Sequence, residues 1–185
     1  EGLPVTKAGE TYPTIYGLNI HQTLGKAAGL FGGVTFNFKN FNIDGASCNC
    51  ASSFVGAVAG QVYGDLENIS VKNVSFVADP SRKDIRYGAI VGMHNAGNAT
   101  GCSVENAVVK AYHNVGGISG TLNESNNNRT YRDCSVKNST FEVYCTEGAG
   151  AKMAGALTGN ANGVTLYYEN CTVEGNNVEA LAGAG

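Results

Sequence analysis

Apolar and polar positions along this chain recur in a compound unit. Its first part is a pentad, glycine–x–apolar–x–glycine, found at Gly29–Gly33, Gly56–Gly60, Gly88–Gly92, Gly116–Gly120 and Gly155–Gly159. The first glycines of successive pentads are separated by 27, 32, 28 and 39 residues. The unit is constant while its period varies, the mark of a solenoid with insertions at fixed corners. The second part is an alternating run between turn residues: Asn40–Gly45, Asn68–Asn73, Gly101–Asn106, Asp133–Asn138 and Asn170–Gly175. Alternation with period two predicts a short half-buried strand. Its inward columns are Phe41, Ile69, Cys102, Cys134, Cys171 and Ile43, Val71, Val104, Val136, Val173.

A third register follows each run. Three residues past the closing Asn or Gly lie Cys48, Phe76, Val109, Phe141 and Val178, and five past it lie Cys50, Ala78, Ala111, Val143 and Ala180. The residues between them are Asn49, Val77, Lys110, Glu142 and Glu179, mostly polar and expected at the surface. Like residues stacked once per turn, about 4.8 Å apart, are what a parallel β-helix requires. A single turn cannot bury its apolar face, but a stack can. The reading is an all-β chain: a parallel β-helix, or solenoid, of about five turns with three short strands per turn. Gly and Asn suit its corners because both accept positive φ. An antiparallel sandwich also has many short strands, but it does not demand the same residue type at the same offset in five units.

The expected organisation is one solenoid domain over residues 1–185, with 1–14 as a leader or cap segment and 15–185 as repeats. Ile15–Ile20 resembles the strand of a turn whose pentad is missing, and Leu181–Gly185 the start of another pentad. The chain opens on Glu1. It is therefore expected to be processed or part of a longer protein whose remainder caps the open ends, since uncapped strand edges invite aggregation.

Composition narrows the function. The net charge is −3, which offers no basic field for nucleic acid. No apolar run reaches the roughly 20 residues of a membrane-spanning helix. The six cysteines include no Cys-x2-Cys pair of the zinc-site kind. Cys102, Cys134 and Cys171 read as a ladder of small buried side chains. Cys48 and Cys50 also fall on inward positions, so that register alone accounts for five of the six without a disulfide. Cys145 lies at a corner. His21, His94 and His113 occupy unrelated places in the turn and share no neighbouring carboxylate or thiol motif. No metal and no cofactor are implied.

Acidic residues are scattered over corners and outward strand positions rather than paired as glycoside hydrolysis demands. The densest mixed-charge stretch, Asp79, Arg82, Lys83, Asp84 and Arg86, reads as a solvated loop. Tyrosines are the better binding candidates, because a flat apolar face with a hydroxyl suits sugars and proteins. Tyr112 and Tyr144 share one offset in successive turns, Tyr87 precedes a pentad, and Tyr131 precedes a second run. Seven Asn-x-Ser/Thr sequons follow from Asn corners beside outward Ser or Thr.

The pentads resemble the GLUG motif of bacterial surface proteins; Gly29-Leu30-Phe31-Gly32 matches it literally, and the other copies more loosely. Together with the Asn-apolar-x-Val runs, they are similar to repeat domains of large adhesins and lipoproteins, over roughly Ile15 to the end. The resemblance implies a non-enzymatic adhesion or binding module, exported to a bacterial surface. Its partners would be a host or matrix protein or a glycan. It transfers no catalytic residues. Two other readings stand beside it, a polysaccharide-acting β-helix enzyme and a structural spacer or stalk.

Overall fold

The computed structural model describes residues 9–22, 25–79, 84–122, 128–144, 152–161 and 163–180. Its strands follow one another in a repeating order. The first coil holds β1 (Thr14–Gln22), β2 (Ala27–Ala28) and β3 (Phe31–Val34). The second holds β4 (Phe38–Cys50), β5 (Phe54–Val55) and β6 (Ala59–Tyr63), and the third β7 (Leu66–Val77), β8 (Arg86–Gly88) and β9 (Val91–Ala96). In the fourth coil the long strand is divided, giving β10 (Ala99–Thr100), β11 (Ser103–Glu105), β12 (Val108–Ala111), β13 (Asn114–Gly116) and β14 (Ser119–Leu122). The fifth repeats that division in β15 (Arg129–Arg132), β16 (Ser135–Lys137), β17 (Thr140–Val143), β18 (Met153–Gly155) and β19 (Thr158–Asn160). A final pass adds β20 (Leu166–Glu169), β21 (Thr172–Glu174) and β22 (Asn177–Ala180).

Each strand pairs with its counterparts in the neighbouring coils, giving one twelve-stranded sheet and two five-stranded sheets of order β2-β5-β8-β13-β18 and β3-β6-β9-β14-β19, taken from either end. Pairing is parallel, for example Ile43↔Val71 and Val104↔Val136. The architecture is the expected β-solenoid, close to five turns. The predicted columns are in register. Ile43, Val71, Val104, Val136 and Val173 form one, and Cys48, Phe76, Val109, Phe141 and Val178 another. Burial along a column depends on stacking: Val136 is 0% exposed, whereas Val173, in the last coil, is 51% exposed. Fully burying such a side chain contributes roughly 1.5–3 kcal/mol, and each coil obtains that only from its neighbours.

The corners of the alternating runs are left-handed. Asn40, Asn68, Asp133 and Asn170 open them at φ of 62°, 52°, 53° and 52°, with Gly101 at 63°. Gly45, Asn73, Asn106, Asn138 and Gly175 close them at φ between 49° and 76°. Asn side chains also bond along these corners, as Asn68 Nδ2 does to Asn40 Oδ1 at 2.9 Å.

The pentads correct the expectation. Their glycines are absent from the positive-φ set, so left-handed backbone is not why they are needed. They are needed because backbones meet there. A Cβ on Gly88 would stand 2.0 Å from the Val91 carbonyl oxygen, and one on Gly116 2.2 Å from that of Ser119. The second glycines touch the coil before: a Cβ on Gly120 would lie 2.6 Å from Tyr87 O. The pentad therefore folds the chain back on itself with no room for side chains, while Val58, Ile90 and Ile118 at its centre are fully buried. The first copy is one residue short, because Phe31 pairs with Ala59 and Gly33 with Gln61, which sets Gly32 against Gly60.

A second correction concerns Cys48 and Cys50. They form a disulfide, with Cα atoms 5.5 Å apart. Residues two apart on a strand share a face, and this separation lies within the reach of a disulfide. Cys102 and Cys134 are buried free thiols and Cys171 is a half-buried one. Cys145, Arg82, Lys83 and Leu181–Gly185 lie outside the described residues.

Candidate functional site

The four candidate tyrosines do not form one surface. Tyr87 and Tyr131 are 1% and 0% exposed and belong to the core, so neither reaches a ligand at the surface. Tyr87 sits in an inward column between Val55 and Val115, and Tyr131 in one with Ala99 and Tyr168. Strand alternation from the outward Arg132 already fixed Tyr131 as inward. Tyr112 and Tyr144 do neighbour each other, following Ala111 and Val143, which are in register. Both are half-buried. The Tyr144 hydroxyl donates to the Ala78 carbonyl, and the Lys152 ammonium lies 5.8 Å from the Tyr112 ring centroid. Burial first, then Asp79 and Glu142, push the Tyr144 hydroxyl up to about 12. This pair closes a corner.

The interior holds a polar chain that the sequence reading did not assemble. His94 Nε2 is 2.9 Å from the Gly64 carbonyl oxygen, and His94 Nδ1 is 3.0 Å from the Tyr131 hydroxyl. The Tyr131 hydroxyl lies 3.1 Å from Ser119 Oγ, which lies 3.4 Å from Thr158 Oγ1. Because a carbonyl only accepts, Nε2 carries the imidazole proton and Nδ1 accepts from Tyr131. Ser119 must then donate to Tyr131. Burial lowers His94 to about 4 and pushes the Tyr131 phenol up. Arg129, 1% exposed, donates to the carbonyls of His94 and Asn95. His94, Tyr131, Ser119 and Arg129 lie in the core, and the chain ends on the half-buried Thr158. Of the three histidines only His94 is part of it; His21 is exposed and His113 half-buried.

The outer face of the large sheet is different. Asn42, Ser70, Ser103, Ser135 and Thr172 form one outward column, so amide and hydroxyl groups repeat once per coil. Beside it runs Asp44, Lys72, Glu105, Lys137 and Glu174, alternating in sign. Ion pairs join Lys72 to Glu105 at 2.9 Å and Lys137 to Glu174 at 3.2 Å. Lys72, bonded to Glu105 and aided by Lys137, holds that carboxyl below its ordinary range. Lys110–Glu142 at 2.6 Å and Arg132–Glu169 at 2.7 Å repeat the arrangement on other columns. At the N-terminal end the segment before β1 rises over this face and makes a trough of about 440 Å³. Tyr12 and Glu10 form its wall, and Asn42, Ser70, Ser103 and Lys72 its floor. Asn42 Nδ2 donates to the Tyr12 carbonyl at 2.9 Å, which fixes wall to floor.

Aromatic offsets within the repeats do not lead to these residues. The usable signal was the recurrence of Ser or Thr at one outward offset; Tyr12 precedes the repeats and carries no such signal. Among the described residues no group of three or more His, Cys, Asp or Glu is placed to hold a metal ion, and no helix is long and apolar enough to cross a membrane. No family model matches this sequence, and none of the curated proteins or solved structures matches it.

Proposed function

We propose that this chain is a non-enzymatic, GLUG-like binding module of a bacterial surface protein, and that the trough between Tyr12 and the Asn42–Ser70–Ser103 column is its ligand-binding face. The observation that carries the reading is the pairing of an aromatic wall with a floor of evenly repeated amide and hydroxyl groups. Coils stack about 4.8 Å apart, so an extended polymer lying along the trough meets the same donor and acceptor set at each step. That chemistry fits a glycan better than a protein partner, because a saccharide offers hydroxyls for the floor and an apolar ring face for Tyr12.

A glycan array probed with the whole chain tests the reading. Binding to an extended glycan that falls about tenfold in Tyr12→Ala, and is unchanged in Tyr112→Ala, is the expected result. Loss of binding in Tyr112→Ala alone would move the site to the corner. A blank array would leave the spacer reading in its place.

A further inference from the structure

The trough offers a ligand more acceptors than donors. Asn42 gives its amide hydrogens to the wall, at 2.9 Å to the Tyr12 carbonyl and 3.2 Å to Thr14 Oγ1. What it has left for a ligand is Oδ1, an acceptor. Asp44 lines the same floor, and its carboxylate only accepts. That carboxylate is set in place, because Asn73 Nδ2 donates to Asp44 Oδ1 at 2.6 Å. The hydroxyls of Ser70 and Ser103 act either way. Charge points in the same direction. Asp44, Lys72, Glu105, Lys137 and Glu174 stand in one column. Among the described residues, the ion pairs Lys72–Glu105 and Lys137–Glu174 use every member of it except Asp44. Asp44 stands between Tyr16 and Lys72, and the Lys72 ammonium is turned to Glu105, 2.9 Å away. The pair brings no net charge to the floor. Glu10 adds a second carboxylate in the wall, where its Oε1 accepts from the Tyr16 hydroxyl at 2.5 Å.

We infer, resting on the reading of the trough as a glycan site, that its ligand is an extended, β-linked glycan of amino sugars with free, protonated amines, one ammonium held at Asp44. An ammonium has three donors and no acceptor, as this end of the trough requires. A hydrogen bond between charged partners is stronger than a neutral one, and the carboxylate that receives it needs no rearrangement. A neutral sugar offers Asp44 a hydroxyl in the same place and gains less. A uronate or a sulfated sugar brings a like charge towards Asp44 and Glu10 and is disfavoured. Asn42, Ser70 and Ser103 belong to successive coils. The floor therefore repeats about every 4.8 Å along the stack, close to the advance per residue of a straight β-1,4-linked pyranose chain. The Tyr12 wall takes an apolar ring face of either kind of sugar, so the aromatic ring supplies affinity and Asp44 supplies selection.

The test is titration calorimetry of the whole chain with two β-1,4-linked hexamers, glucosamine and its fully N-acetylated form, at mildly acidic pH where the sugar amines are protonated. The expected result is about tenfold tighter binding of the amine hexamer, with an advantage that shrinks as salt is added. A β-1,4-linked uronate hexamer binds least. The ratio of the two affinities falls towards one in Asp44→Asn. It also falls in Glu105→Gln, which returns the Lys72 charge to the floor. Tyr12→Ala weakens both hexamers. Binding of both hexamers with equal affinity, or a preference for the amine that Asp44→Asn leaves unmoved, would overturn this inference while the glycan reading of the trough stands. Binding of neither hexamer, or binding of both that is indifferent to Tyr12→Ala, would overturn that reading and the inference with it.

Discussion

Lowering the pH from about 7 to about 4 reaches the centre of the solenoid through one side chain. His94 is fully buried, with Nε2–H bound to the Gly64 carbonyl and Nδ1 occupied by the Tyr131 hydroxyl. Protonating Nδ1 puts a charge in the core beside Arg129 and costs that bond. Burial is the largest cause, and together with the Arg129 charge it lowers the imidazole from 6.5 to about 4. As the pH falls through about 6.5 the unfolded chain takes up a proton while the folded chain remains neutral until about 4. The unfolded state thus binds more protons across this window, so stability is full above it and is lost as the pH drops. At about 1.4 kcal/mol for each pH unit the loss amounts to about 3 kcal/mol, a large share of a domain's 5–15 or so. Urea unfolding followed by circular dichroism at several pH values measures it. His94→Gln keeps one donor and one acceptor but cannot titrate. It is expected to be roughly 1–3 kcal/mol less stable than the parent near neutral pH. That gap closes by about 3 kcal/mol towards pH 4. A gap that stays constant over the window would show that His94 is not held neutral in the folded chain.

Two further predictions concern the backbone. Gly116→Ala places a Cβ 2.2 Å from the Ser119 carbonyl oxygen, and is expected to lower stability by about 3 kcal/mol or more in thermal unfolding. Gly33→Ala meets only the Gln61 side chain, at 3.8 Å or beyond, and serves as a near-neutral control; equal Tm values for the two would refute backbone contact as the reason for the pentads. Asn106, at φ 54°, is expected to lose about 1–2 kcal/mol as Ala and much less as Gly in denaturant midpoints. Equal effects of the two substitutions would rule out the left-handed corner.

Much of the architecture was legible because a solenoid writes its contacts into sequence spacing. The column of Ile43, Val71, Val104, Val136 and Val173 could be read from offsets alone, and so could the corners at Asn68, Asn73 and Asn138. What escaped the reading has physical causes. The glycine pentads were visible but their reason was not, since close approach of Gly88 to Val91 involves backbone that only the fold brings together. The His94–Tyr131–Ser119 chain joins residues from separate coils and different sheets, and no offset links them. Aromatic chemistry does not say which way a tyrosine faces; counting alternation from the outward Arg132 places Tyr131 inside. The trough was half legible, because Ser70, Ser103, Ser135 and Thr172 recur at one offset while Tyr12 stands outside every repeat.

The register also separates the length of a coil from its fit. Ser119 aligns with Val91 on one side and with Thr158 on the other, although the two partners lie 28 residues before it and 39 after it in sequence. The columns keep one register across both spacings. Such a scaffold can acquire or shed peripheral sequence over evolutionary time without renegotiating its interior. It is also a scaffold whose contacts are set by register and not by one fixed coil length.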